Sequence, residues 1–151
     1  MLTPENREES YQKHLGREPV FNVWDNKSGI FTNLKDKIHN GDLSIEGALH
    51  TANDFFGSRD PAEIKAGIHI YRLCMWLEPT VSEEWMKRAP KLFSHPHPRI
   101  RHSVIWNLRT ASWQNPEAGA TGLKFAREGL KDNDTGLQRA SLSFRGSFLI
   151  R

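Results

Sequence analysis

Apolar residues recur every three or four positions along most of this chain, which is the period of an amphipathic helix. No segment of strand length alternates apolar and polar residues, and no hairpin turn signal separates two such segments. The pattern therefore predicts an all-α chain. The predicted buried stripes are Phe31/Leu34/Ile38, Ile45/Leu49/Ala52/Phe56, Ile64/Ile68/Tyr71/Met75, Val81/Trp85/Ala89/Leu92, Ile100/Val104/Asn107/Leu108, Leu123/Ala126/Leu130 and Leu137/Ala140/Ser141/Phe144/Phe148.

Helix-start signals separate these stripes. Asp60 before Pro61 and Asn115 before Pro116 each combine a capping side chain with a proline at the first helical position. Pro90 lies inside a predicted helix and is expected to kink it, because proline removes one backbone hydrogen bond. We predict a surface helix over residues 3–15 and an irregular connector to residue 28. The expected domains are thus an N-terminal helix and connector, 1–28, and a helical repeat domain, 29–151.

One design occurs three times, and its clearest copy is the stretch from His95 to Leu108. A turn precedes a helix whose first buried aliphatic residue is followed by a polar or basic side chain. The corresponding aliphatic residues are Ile64, Ile100 and Leu137, so the copies are 36 and 37 residues apart. An internal period of this size is typical of stacked helical repeats.

Composition fits a folded chain of one domain or one short solenoid. Of the 151 residues, 37% are hydrophobic, and five Trp and eight Phe can supply a core. No apolar run approaches the roughly 20 residues that a membrane-spanning helix needs, and the N-terminal residues lack a signal-peptide pattern. The single cysteine, Cys74, sits in an apolar run and is expected to be buried. We expect a cytoplasmic location.

Charge is distributed unevenly. Residues 1–84 carry nine Lys and Arg against 14 Asp and Glu, a net of −5, whereas residues 85–151 carry 12 against four, a net of +8. A basic half favours an anionic partner, either nucleic acid or an acidic protein surface. The alternative is that the two ends serve only solubility.

The repeated helix, turn, Ile/Leu-Arg and small-residue helix resembles HEAT-type repeats over residues 44–151. The best copies are 85–92 leading into 97–101, and 131–134 leading into 137–140. The resemblance implies a short right-handed α-solenoid of helix pairs, with the second helix of each pair on the concave side. His95-Pro96-His97-Pro98 departs from the family's acidic turn, so an Asp–Arg ladder between repeats is expected to be incomplete.

A narrower similarity is to the HEAT-like proteins of DNA alkylation repair, which hold damaged bases on a concave Trp and Arg surface. Residues 132–140 resemble the segment that carries this family's active-site arginine, which corresponds to Arg139. The family's Trp and Asp about one repeat earlier have no counterpart between His97 and Val104. The resemblance therefore implies no glycosylase activity.

The sequence offers no convincing catalytic or metal-binding group. His95, His97 and His102 cluster around a proline turn and could present imidazoles to a metal, but no Cys or carboxylate lies near them in sequence. A surface turn explains them better. We therefore predict no metal, no cofactor and no enzymatic activity.

Aromatic and basic residues form the strongest candidate surface, at the spacing i, i+3, i+7 on two predicted second helices. Such columns would merge into one patch of the residue types enriched in binding hot spots. The alternative is that the Trp rings are core and that Arg stems cover them. The candidate binding residues are His69, Arg72, Trp76, His102, Trp106, Arg109, Trp113, Arg139 and Arg145.

These observations favour a non-catalytic HEAT-like module that recognises a protein with an acidic surface, as an adaptor, inhibitor or immunity protein. The alternative is a nucleic-acid-binding protein related to the DNA alkylation repair family. Phe148, Leu149 and Ile150 end the chain without a polar capping repeat. The last helix is therefore expected either to fold back on the 116–131 helix or to pair with a second copy. The chain would then be a monomer or a weak homodimer through that helix.

Overall fold

The described residues are helical, as the apolar period predicted. The computed structural model describes residues 36–150, with side chains for 36–146. No strand occurs among these residues, and 36–39 form a helical turn at the predicted Ile38 stripe. Phe31, Leu34, the side chain of Phe148 and the predicted elements of residues 1–28 lie outside this description. The helices are α1 (Ile45–Phe55), α2 (Pro61–Leu77), α3 (Val81–Phe93), α4 (Pro98–Ser112), α5 (Pro116–Gly129) and α6 (Thr135–Ile150).

The described residues divide into two compact units, with the boundary after Val81. In the first unit α1 packs against α2. In the second unit α4, α5 and α6 each pack against the other two. The last helix thus folds back on α5, which is the first of the two arrangements expected for it.

The first unit is built around α2. Tyr71 stacks on Phe56 with ring centroids 5.6 Å apart, and its hydroxyl donates to Asn53 Oδ1 at 2.8 Å. Gly67 lets the helices approach, because a Cβ there would lie 2.9 Å from the Ala52 carbonyl oxygen. Every residue from Ile64 to Trp76 is buried. The predicted buried stripe of this helix is therefore confirmed, and the burial extends beyond it to the other sides of α2.

The second unit confirms two predicted stripes and corrects a third. Every predicted stripe residue of α3 and α4 is buried. On α5 the predicted Leu123 and Leu130 are only half-buried, whereas Phe125 is buried and stacks on Phe93 at 4.4 Å between centroids. The buried stripe of α5 is formed by Ala118, Gly119, Gly122, Phe125, Ala126 and Gly129.

Two glycines of α5 allow α6 to pack close to its backbone. A Cβ on Gly122 would lie 2.6 Å from Cε2 of the buried Phe144 ring, and one on Gly129 would overlap the Ser141 hydroxyl. These glycines lower helix propensity, but they permit side chains of α6 to reach the backbone of α5. Close packing is therefore their role here.

The turns before α2, α4 and α6 share one hydrogen-bond pattern. The side chain of the helix N-cap residue accepts a hydrogen bond from a backbone amide in the first turn of the helix. The side chain two positions earlier accepts a hydrogen bond from the backbone amide of the N-cap residue. Each of these positions recurs every 37 residues. The N-caps are Asp60, His97 and Asp134, and the preceding acceptors are Ser58, His95 and Asp132.

Among residues 36–150, no helix is both long enough and apolar enough to cross a bilayer.

Candidate functional site

Three of the predicted binding residues, all on α2, are buried. His69, Arg72 and Trp76 are only 6%, 5% and 8% exposed. The prediction that they line an exposed face is therefore wrong. The i, i+3, i+7 spacing places these three residues on one side of α2. Because every side of this helix is buried, the spacing does not indicate an exposed face.

The matching residues on α4 face outward. Ile100, Val104, Asn107 and Leu108 bury one side of this helix, and His102, Trp106, Arg109 and Trp113 follow its opposite side. Trp113 is 49% exposed, and the other three are half-buried. The structure thus brings this column together as the spacing predicted.

Contacts between neighbours hold the column in place. Trp106 donates from Nε1 to His102 Nε2 at 2.6 Å. The guanidinium carbon of Arg109 lies 5.2 Å from the centroid of the Trp106 ring, a cation–π geometry. Arg109 also donates to Ser143 Oγ on α6 at 3.3 Å. Arg109 is therefore held between an aromatic ring and a neighbouring helix.

The α6 side of this surface combines one predicted residue with one that sequence reasoning missed. Arg139 is exposed and lies one turn before Ser143, on the same side of α6. Leu142 is 57% exposed and lies next to that side. The available signal was that Leu142 falls off the buried stripe formed by Leu137, Ala140, Ser141 and Phe144.

Arg145 is exposed, but it does not join the column. It lies two residues beyond Ser143, which places it about 200° around the helix from the side that contacts Arg109. By this geometry Arg139, rather than Arg145, lies on the side of α6 that contacts Arg109.

We group Trp106, Arg109, Trp113, Arg139 and Leu142 as a candidate surface, the α4–α6 face, because Arg109 stacks on Trp106 and contacts Ser143 of α6, and the other three are exposed positions on or directly after the same two helices. The sequences of α4 and α6 contain five arginines and no Asp or Glu. Arg101 is neutralised by Asp132, with Nη2 and Oδ2 2.8 Å apart. Of the other arginines, Arg109 and Arg139 belong to the face, and neither helix supplies a carboxylate to offset them, so the face favours an anionic group.

No family model matches this chain, and no curated protein or solved structure is significantly similar to it. The chemistry of the described residues is thus the basis for any functional assignment.

The described residues give the remaining histidine and cysteine candidates structural roles. No three of their His, Cys, Asp or Glu side chains come together as a metal site would require. His95 and His97 instead use their Nδ1 atoms to accept backbone hydrogen bonds. Cys74 is fully buried, and burial raises the pKa of its thiol to about 12. A thiol in that environment is a poor nucleophile.

A cleft of about 280 Å³ opens beside the turn before α6 in the second unit. The stacked Phe93 and Phe125 rings form part of its wall, and the Arg101–Asp132 pair and Glu128 supply its charged groups. The guanidinium and one carboxylate are already engaged with each other. The cleft is therefore a weaker binding candidate than the α4–α6 face.

Proposed function

We propose that this chain is a short right-handed α-solenoid of HEAT-like helix pairs and acts as a non-catalytic binding module. The pairs would be α1 with α2, α3 with α4, and α5 with α6. The repeated turn supports this assignment, because its capping groups recur every 37 residues before each second helix. The contact of α4 with α6 also supports it, since second helices of successive pairs are neighbours in such a fold.

The α4–α6 face is the proposed binding surface, and its partner is a protein with an acidic surface segment. Arg109 supplies a planar pair of N–H donors for a carboxylate. Its guanidinium is already restrained by the Trp106 ring, so little conformational freedom is lost when a partner binds. Arg139 adds a second positive charge on the neighbouring helix. Charge complementarity therefore selects an acidic segment.

Exposed apolar side chains favour a protein over nucleic acid. Leu142 and Trp113 are the two large hydrophobic residues classed as exposed in the described part of the chain, and both belong to this face. A leucine offers no flat ring on which a base can stack, but it buries well against an apolar side chain of a protein partner. The exposure of Leu142 is the observation that carries the assignment.

Nucleic acid is the second candidate, supported by the Arg109–Trp106 stack and the half-exposed Trp113 ring. Bases stack on such rings, and arginine contacts phosphates. Base excision is not part of this alternative. Arg139 is present, but the segment from His97 to Val104 contains neither the Trp nor the Asp that the alkylation repair family would require.

Affinity capture from a cell lysate with two matched charge reversals separates these candidates. Arg109→Glu reverses a charge on the face, and Arg127→Glu makes the same change at an exposed position of α5 outside it. We expect a nuclease-treated lysate to yield an acidic protein that Arg127→Glu retains and Arg109→Glu loses. Loss of all bound material on nuclease treatment would support the nucleic-acid alternative, and equal loss with both variants would reject the face.

A further inference from the structure

The turn before α4 uses histidine where the other two copies of the turn use oxygen acceptors. His95 Nδ1 accepts the His97 amide at 3.0 Å, a role filled by Ser58 Oγ before α2 and by Asp132 Oδ1 before α6. His97 Nδ1 accepts the Arg99 amide at 3.2 Å. The carboxylates of Asp60 and Asp134 occupy the corresponding N-cap positions.

This substitution changes how the turn responds to acid. A hydroxyl oxygen accepts at any pH, and a carboxylate remains an acceptor well below neutral pH, because the ordinary pKa of Asp is about 3.9. An imidazole nitrogen accepts only while it carries no proton, and histidine ordinarily titrates near pH 6.5. Protonation of Nδ1 turns the acceptor into a donor that faces another N–H group.

The surroundings of His95 favour its neutral form. Burial, and then the charges of His97 and Arg101, lower the pKa of His95 below its ordinary value. Arg101 donates from Nη1 to the carbonyl oxygens of His95 and Pro96, both at 2.8 Å. On the neighbouring segments, the Asp132 carboxylate pairs with Arg101, and Glu128 lines the cleft beside that pair.

A lowered histidine pKa sets the direction of the pH effect. At a pH between the folded pKa of His95 and about 6.5, this side chain is largely neutral in the folded form and largely protonated in the unfolded chain. The stabilisation from the neutral turn is therefore complete above about pH 6.5 and is lost as the pH falls through the folded pKa of His95.

We propose that the His95–Pro96–His97 turn makes the N-terminus of α4 sensitive to pH. On acidification the first turn of α4 opens, whereas the first turns of α2 and α6 stay formed. Arg101 transmits the change, because its guanidinium binds two carbonyls of the turn and also Asp132. The release would loosen the N-terminal end of α4 against the turn that precedes α6. The proposal does not depend on the binding function assigned above.

Amide hydrogen exchange of the unmodified protein tests the proposal with internal controls. Protection factors, corrected for intrinsic exchange, would be measured by NMR at several pH values from 7.5 to 4.5, a range that extends well below the ordinary histidine pKa. We expect the His97 and Arg99 amides to lose protection by about fivefold, comparable to the loss of one N-cap. The equivalent amides of Asp134 and Leu137 should change less than twofold. A parallel change at both turns, or no change at either, would overturn the proposal.

A double substitution, His95→Ser with His97→Asp, gives the turn the acceptors found before α2. We expect its protection at these two positions to stay constant from pH 7.5 to pH 4.5. The reciprocal pair, Ser58→His with Asp60→His, should make the amides of residues 60 and 62 sensitive to acid. A double variant that loses protection on acidification as the parent does would assign the effect to other groups and overturn the proposal.

Discussion

Arg109 and Ser143 are 34 residues apart in sequence, and Arg109 Nη1 lies 3.3 Å from Ser143 Oγ. A second contact joins Arg101, eight residues earlier on α4, to Asp132, 11 residues before Ser143. Both contacts advance in the same direction along the two segments, so α4 and α6 run parallel, side by side. Residues on their outer sides therefore form one continuous surface.

The Arg101–Asp132 pair is predicted to make stability depend on acid pH. The Asp134 amide, partly opposed by burial and aided by Arg101, holds the pKa of Asp132 below its ordinary value. A lowered carboxyl pKa stabilises the fold above about pH 3.9, and this contribution disappears as the pH falls through the folded pKa. Asp132→Asn should therefore reduce stability at pH 7, and its difference from the parent should shrink toward pH 3.

Urea unfolding of the parent and the Asp132→Asn variant at several pH values measures this difference. A difference that stays constant from pH 7 to pH 3 would show that the charge of Asp132 contributes nothing to stability. The effect would then come only from the shape or hydrogen bonding of the side chain.

Gly122 and Gly146 should respond to alanine in opposite directions. A Cβ at position 122 would collide with the Phe144 ring, so Gly122→Ala should destabilise the protein by about 1–3 kcal/mol through overpacking. A Cβ at position 146 meets nothing within 4 Å, so Gly146→Ala should stabilise α6 by about 0.5–1 kcal/mol. Chemical denaturation measures both, and equal effects of the two substitutions would contradict this packing.

Local sequence signals were sufficient to predict most helix boundaries. Asp60 with Pro61, and Asn115 with Pro116, combine a cap with a proline at the first helical position, and the structure starts α2 and α5 at those prolines. Such signals depend on a few neighbouring residues and little on tertiary context.

Burial of complete helix faces was harder to predict, because it depends on what surrounds the helix. Ile70, Leu73 and Cys74 are apolar and lie outside the predicted stripe of α2, which indicates a helix covered on several sides. These additional apolar residues indicate that Arg72 and Trp76 lie on a buried helix and do not form a surface column. On α4 the same spacing gave half-buried or exposed positions, because the side that carries His102, Trp106 and Arg109 is not fully covered.

Alanine substitutions of two tryptophans should distinguish a core position from a surface position. Trp85 is fully buried, so Trp85→Ala should cost about 3–5 kcal/mol. Trp113 is half-exposed, so Trp113→Ala should change the free energy of unfolding by less than about 1 kcal/mol. Thermal and urea unfolding test both. A large loss for Trp113→Ala would place that ring in the core and remove it from the α4–α6 face.

Cys74 should be unreactive in the folded protein. It is fully buried, and its pKa of about 12 keeps it protonated at pH 8. We expect a disulfide reagent such as Ellman's reagent to modify it only after denaturant unfolds the chain. Full modification within minutes under native conditions would contradict this burial.

Photo-crosslinking tests most directly whether the α4–α6 face binds an acidic protein. A benzophenone amino acid would replace Leu142 on this face or, as the matched control, the exposed Lys124 on α5. After irradiation in a nuclease-treated lysate, we predict an adduct with an acidic protein from position 142 that Arg109→Glu abolishes, and none from position 124. The same protein captured equally from both positions, or no protein adduct at position 142, would contradict the account.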